Sequence, residues 1–111
     1  MIEKVLYDYL SDELNTDVYM TRPEEEPDTY VVIEKTGSTK QNHLSTATFA
    51  IQSYAPTLFD AASLNETVKE AVEASIRLDT ITKAELNTDY NFTDPSRKQP
   101  RYQAVFVITH Y

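Results

Sequence analysis

Thr46-Ala-Thr-Phe-Ala-Ile-Gln-Ser-Tyr54 alternates small or apolar with polar residues, and Ala55-Pro56-Thr57 then breaks the pattern. From Leu58 the apolar residues change period: Leu58, Ala61, Ala62, Leu64, Val68, Ala71, Val72 and Ile76 recur at helical spacing. Alternation places Ala47, Phe49 and Ile51 on one side of a strand and Thr46, Thr48, Ala50 and Gln52 on the other. Thr57 is placed to cap the helix, with Asp60 three residues on as a weakened capping box. The helix is expected to end near Leu78-Asp79, with Glu73 and Arg77 as an i, i+4 pair on it. A strand running straight into the longest helix of a short chain predicts the core.

Working outward, Ile2, Val5, Leu6, Tyr9, Leu10 and Leu14 form one apolar stripe and predict an opening helix. Val18-Tyr-Met20 reads as a brief strand. Thr21-Arg-Pro-Glu-Glu-Glu-Pro-Asp28, with two prolines and four acids, reads as an exposed linker. Thr29 to Lys35 has the β-branched and aromatic content of a strand. The polar stretch Thr36, Gly37, Ser38, Thr39, Lys40, Gln41, Asn42 and His43 reads as a loop, longer than a tight hairpin needs and therefore the first place to expect a partner. Beyond the long helix, Thr80 to Phe92 is compatible with a strand, Thr93 to Pro100 is a second double-proline loop, and Arg101 to Tyr111 is the clearest strand. In that last strand Tyr102, Ala104, Phe106 and Ile108 share a side, and Val105 and Val107 mark the other. The order predicts an α+β fold: a single small domain over residues 1–111, with a mostly antiparallel or mixed sheet of four to five strands and two helices packed on one face.

Composition narrows the chemistry. The chain has 111 residues, a formal net charge of -8, no cysteine and one glycine. Disulfides and thiol chemistry are excluded, and one glycine cannot write a Walker loop or GxGxxG. His43 and His110 show no metal-ligand spacing, Glu24-Glu-Glu26 lacks the pattern of a calcium loop, and no carboxylate pair sits in an apolar setting. A serine nucleophile assembled from distant residues stays open, but the reading is not an enzyme, and no cofactor is expected. No apolar run reaches the ~20 residues of a membrane helix, and the opening residues lack the pattern of a signal peptide. Residues 1–30 carry nine acids and two bases, whereas residues 91–111 carry one acid and three bases. Such a distribution argues against phosphate-backbone binding as the main activity. It suits attraction between unlike faces of neighbouring copies. Of the eight tyrosines, Tyr30, Tyr54, Tyr90 and Tyr102 are expected to line sheet faces and edges. Their number favours a self-associating or partner-binding module.

One family joins these elements in this order. Pro23-Glu-Glu-Glu-Pro27 before a Tyr30-Val-Val-Ile-Glu34 strand, Phe49-Ala-Ile-Gln-Ser-Tyr54 leading into an Ala-rich helix, Tyr90-Asn-Phe-Thr-Asp94, and Pro100-Arg-Tyr-Gln103 opening the last strand together resemble the tail terminator, or tail-completion, proteins of long-tailed bacteriophages and prophages. The resemblance implies a structural head–tail joining protein of the virion tail and neck, made in the bacterial host cytoplasm. It implies a hexameric ring on the head-proximal end of the tail tube that ends tube polymerisation and meets the head–tail connector, DNA passing through without specific binding. The implied partners are other copies of the chain, tube protein and connector, with no membrane. Glu24, Glu25, Glu26, Asp94, Arg97, Lys98, Arg101 and Tyr102 become expected subunit-interface residues, and Thr36 to His43 the docking segment. Three rivals stand beside it: another neck component such as a head-closure protein, a small acidic DNA mimic that inhibits a DNA-processing enzyme, and an enzyme-associated or regulatory α+β domain with a small ligand.

Overall fold

In a computed structural model describing residues 1–111, the chain runs α1 (Ile2–Glu13), β1 (Asp17–Tyr19), β2 (Tyr30–Gln41), β3 (Leu44–Tyr54), α2 (Leu58–Glu73), a 3-10 turn (Ala74–Arg77), β4 (Ile81–Asn91) and β5 (Arg101–His110). The five strands form one mixed sheet in the order β1-β2-β3-β5-β4. Only the short β1–β2 pair is parallel; the other three pairs are antiparallel. This is an α+β domain, as the order of elements predicts.

The alternation in β3 decides which side chains meet the helices. Phe49 faces Phe106 across the β3–β5 pair, Ala47 faces Ile108 and Ile51 faces Ala104. All six are buried, with Val31 and Ile33 of β2, under Ile2, Leu6, Tyr9 and Leu10 of α1 and Val68 and Val72 of α2. Both helices thus cover one face of the sheet. The two are tied at a polar point where the Tyr9 hydroxyl donates to the Ala71 carbonyl at 2.6 Å. Thr57 caps α2 by accepting from the Asp60 amide at 3.1 Å. The ends of the expected stripe fail: Leu58 and Ile76 are exposed. The helix gives way to a tighter turn at Ala74, which rotates Ile76 off the buried stripe. Arg77 does not pair with Glu73; it reaches Glu13 at the end of α1.

The segment Thr36 to His43 is not a loop. β2 continues through Gln41, and only Asn42 and His43 make the turn, both at positive φ (52° and 69°). Two left-handed residues are what a two-residue primed hairpin turn requires, because its twist matches that of the strands it joins. The polar residues before it form a strand because β3 pairs with them up to Gln41↔Leu44, past a bulge between Lys35 and Gly37. β5 in turn pairs with β3 as far as Ser45↔His110, so the hairpin is part of a sheet whose length gives the molecule its 44 Å long axis. A β-carbon at position 43 resists the left-handed conformation. His43→Gly should therefore raise stability by about 0.5–1 kcal/mol, read as a higher urea midpoint with an unchanged slope.

Candidate functional site

The face opposite the helices has no helix over it, yet its central side chains, among them Val32, Ala50 and Tyr54, are buried between their strand neighbours and the flanking segments. Tyr30, Val32 and Tyr54 form a small cluster of their own there, with Tyr19 against it. Tyr30 stacks on its cross-strand neighbour Tyr54 at 4.4 Å between ring centroids. One register position along, a polar ladder crosses three strands. The Gln52 amide donates to the Gln103 side-chain oxygen at 2.5 Å, and the Gln103 amide donates to the Tyr90 hydroxyl at 2.5 Å. Gln52 and Gln103 are buried, so these bonds satisfy groups that water would otherwise have to reach.

Beside this ladder lies a depression of about 530 Å³, floored by Val32, Ala50 and Gln52 and walled by Met20–Arg22 on one side and Phe92 and Arg101 on the other. Arg101 is fixed in it from three directions. Its Nε donates to the Phe92 carbonyl at 2.6 Å, one terminal nitrogen donates to the Tyr54 hydroxyl at 2.9 Å, and the guanidinium lies 4.3 Å from the centre of the Phe92 ring. Seven of the ten basic residues form ion pairs, those of positions 4, 22, 35, 69, 77, 83 and 97. Arg101 has no carboxylate partner, and among the three that lack one it is the cation held in a groove. Nothing in the periodicity of the sequence singles it out; Phe92 is 9 residues away along the chain and Tyr54 is 47.

The two proline loops meet at the same end. Arg22 and Arg97 both bind the Glu26 carboxylate, at 2.5 and 3.0 Å. Acidic and basic segments therefore do not sit on opposite sides of the subunit as the charge distribution suggested; Glu26 and Arg97 are joined within one chain. Proximity overrides sequence separation here, since the two are 71 positions apart in the chain. Asp94 holds its own turn by accepting from the Ser96 amide at 2.9 Å and hydroxyl at 2.7 Å, which lowers its pKa. Glu24, Glu25 and Lys98 are exposed, and Tyr102 is half-buried, its position in register with Ser53. His43 and His110 lie toward one end of the sheet, and no three His, Asp or Glu side chains cluster as a metal site.

Burial opposes the charge on Glu26, but Arg22 and Arg97 outweigh it and hold the carboxyl below its ordinary value of 4.5. A lowered carboxyl pKa contributes stability above the unfolded value and loses it as pH falls through the folded one. Acidification below 4.5 should thus release the Glu26–Arg97 contact while the core stays folded. Amide shifts at Glu26 and Arg97 should move together in that range, and Glu26→Gln should abolish the shared transition.

The free edge of β2 adjoins the same helix-free face. β1 pairs with β2 only from Tyr30 to Val32, so Glu34 to Gln41 have a neighbour strand on one side alone. Each second residue there turns a backbone donor and acceptor outward, the arrangement that accepts an added strand. Thr36, Gly37, Ser38, Thr39, Lys40 and Gln41 are all on this edge. The opposite edge, β4, is interrupted by two register shifts, at Ile81/Lys83 and Leu86/Thr88, where the β2 edge has the single one between Lys35 and Gly37; such bulges discourage strand addition.

No protein-family model matches the chain, and no curated protein matches it. No helix is long and apolar enough to cross a membrane. The surface includes a helix-free face with a groove, a free β2 edge with one bulge, and a guanidinium without an ion partner.

Proposed function

We propose that the chain is a structural subunit of a phage or prophage tail, acting as a ring that caps the head-proximal end of the tail tube and gives the head–tail connector its docking surface. The observation that carries this reading is the half-covered sheet. One face is sealed by α1 and α2, while the other, with the Glu34–Gln41 edge, has neither helix nor strand over it. An unpaired strand edge beside a helix-free face is a place where another protein can add a strand. The resemblance in element order supplies the tail, and the α+β sheet with helices on one face is the architecture it implies. The β2 edge, which holds the segment Thr36 to His43, is assigned to the tube or connector. Subunit contacts are assigned to the proline-loop end, which holds Glu24, Glu25, Glu26, Asp94, Arg97, Lys98, Arg101 and Tyr102. The role is assembly rather than catalysis, carried out in the host cytoplasm and retained in the virion neck.

Native mass spectrometry of the protein, alone and mixed with the tube protein encoded in the same genome, tests it. The expected species are complexes with tube protein containing several copies of the chain. A strict monomer that ignores tube protein and instead binds a DNA-processing enzyme would contradict it and favour the acidic DNA mimic.

A further inference from the structure

Phe59 is the most exposed aromatic ring of the molecule, 79% accessible, with exposed Leu58 beside it. Both lie in the first turn of α2. Asp60 follows directly, and its carboxylate makes no ion pair. An apolar knob with an adjoining free carboxylate is the complement of the groove on the other face. That groove offers Val32 and Met20 as apolar lining, with Glu34 also on its rim. It also offers Arg101, aimed and immobilised by Phe92 and Tyr54, with no carboxylate within ion-pair distance. Its volume of about 530 Å³ is above that of an enclosed cavity of roughly 150 Å³ that admits benzene.

We propose that the groove receives the Leu58-Phe59-Asp60 knob of a second copy of this chain, the Phe59 ring against Val32 and Met20 and the Asp60 carboxylate on Arg101. α2 packs on one face of the sheet and the groove opens on the helix-free one, so a chain does not fill its own groove. Each copy keeps one free knob and one free groove after the first contact. Copies joined through two different patches run head to tail, closing as a ring or extending as a filament. The inference rests on the self-assembly part of the tail-ring reading and names the contact that part leaves open. It gives the unpaired guanidinium a role in a chain of net charge -8: a fixed positive point lets mutually repelling acidic subunits meet in one orientation.

Sedimentation velocity up to about 1 mM, where contacts of millimolar Kd register, provides the test, with circular dichroism to verify folding. The wild-type chain should associate beyond the dimer as concentration rises. Phe59→Ser, at a site too exposed to matter for folding, should stay monomeric, as should Arg101→Glu. Mixing these two variants should give a dimer and nothing larger, because each retains one of the two patches. The contact is overturned by a wild-type chain that remains monomeric throughout, by Phe59→Ser associating like the wild type, or by a mixture that does not dimerise. A Phe59→Ser protein that still caps tail tubes also overturns the contact while leaving the tail reading intact. Association through Phe59 with no effect on tubes does the reverse.

Discussion

Phe49→Ala should destabilise the domain by about 3–5 kcal/mol, the range for removing a fully buried aromatic ring. Phe49 has no exposed surface and sits opposite Phe106 at the centre of the β3–β5 pair. Neither the sheet nor the helices above it can close the space, because the neighbouring strands are fixed by register on both sides. Domains of this size hold about 5–15 kcal/mol in all, so the variant should be partly unfolded at moderate temperature. Equilibrium urea unfolding checks it, with Phe59→Ala as the control expected to stay within about 0.5 kcal/mol of wild type. A loss below about 1 kcal/mol at position 49 would mean that the buried side of β3 is misassigned.

Asp89→Ala should cost about 1–3 kcal/mol for a different reason, the stranding of a buried donor. The Asp89 carboxylate accepts from the Asn65 amide at 2.8 Å and from the Lys69 ammonium at 2.9 Å, tying β4 to α2. Asn65 is 1% exposed, and its side-chain oxygen already lacks a partner. Without Asp89 its amide loses the partner it has here. Lys69 retains Glu66 at 3.1 Å. The bond to Asp89 is the main reason that the Lys69 pKa is raised above 10.5. A raised lysine pKa contributes stability that is complete below the unfolded value and disappears as pH rises through the folded one. The penalty of Asp89→Ala should accordingly be full near neutrality and shrink above pH 10.5. Urea midpoints across that range read it directly. A penalty that does not change with pH would assign the effect to Asn65 alone.

The parts of the fold legible in the sequence are those whose residues declare their own period. The alternation from Thr46 to Tyr54 and the 3.6-residue stripe from Ala61 to Val72 are fixed by which side chains must leave water, and both are found where the pattern puts them. Thr36 to Gln41 carry no such signal. They are polar on both sides, and their strand exists because β3 supplies hydrogen-bonding partners, which composition alone does not reveal. The turn is also disguised, since Asn42-His43 replaces the expected Asn-Gly. Charge was legible as a distribution and not as a geometry: the acids of the first linker and the bases of the last loop meet at Glu26 and Arg97. Arg101 belongs to the same cluster of three bases in sequence, yet it alone turns into the groove, drawn by Phe92 and Tyr54. The Gln52–Gln103–Tyr90 ladder was out of reach for the same reason, being set by strand order.

The central claim, a ring that stops a growing tail tube, is open to one direct measurement. Tube protein from the same genome is polymerised with and without this chain and imaged by negative-stain electron microscopy. The account predicts shorter tubes of defined length bearing a ring at one end, with no growth from that end on further addition of tube protein. Tubes that elongate from both ends at the same rate, with no added density at either, would contradict it.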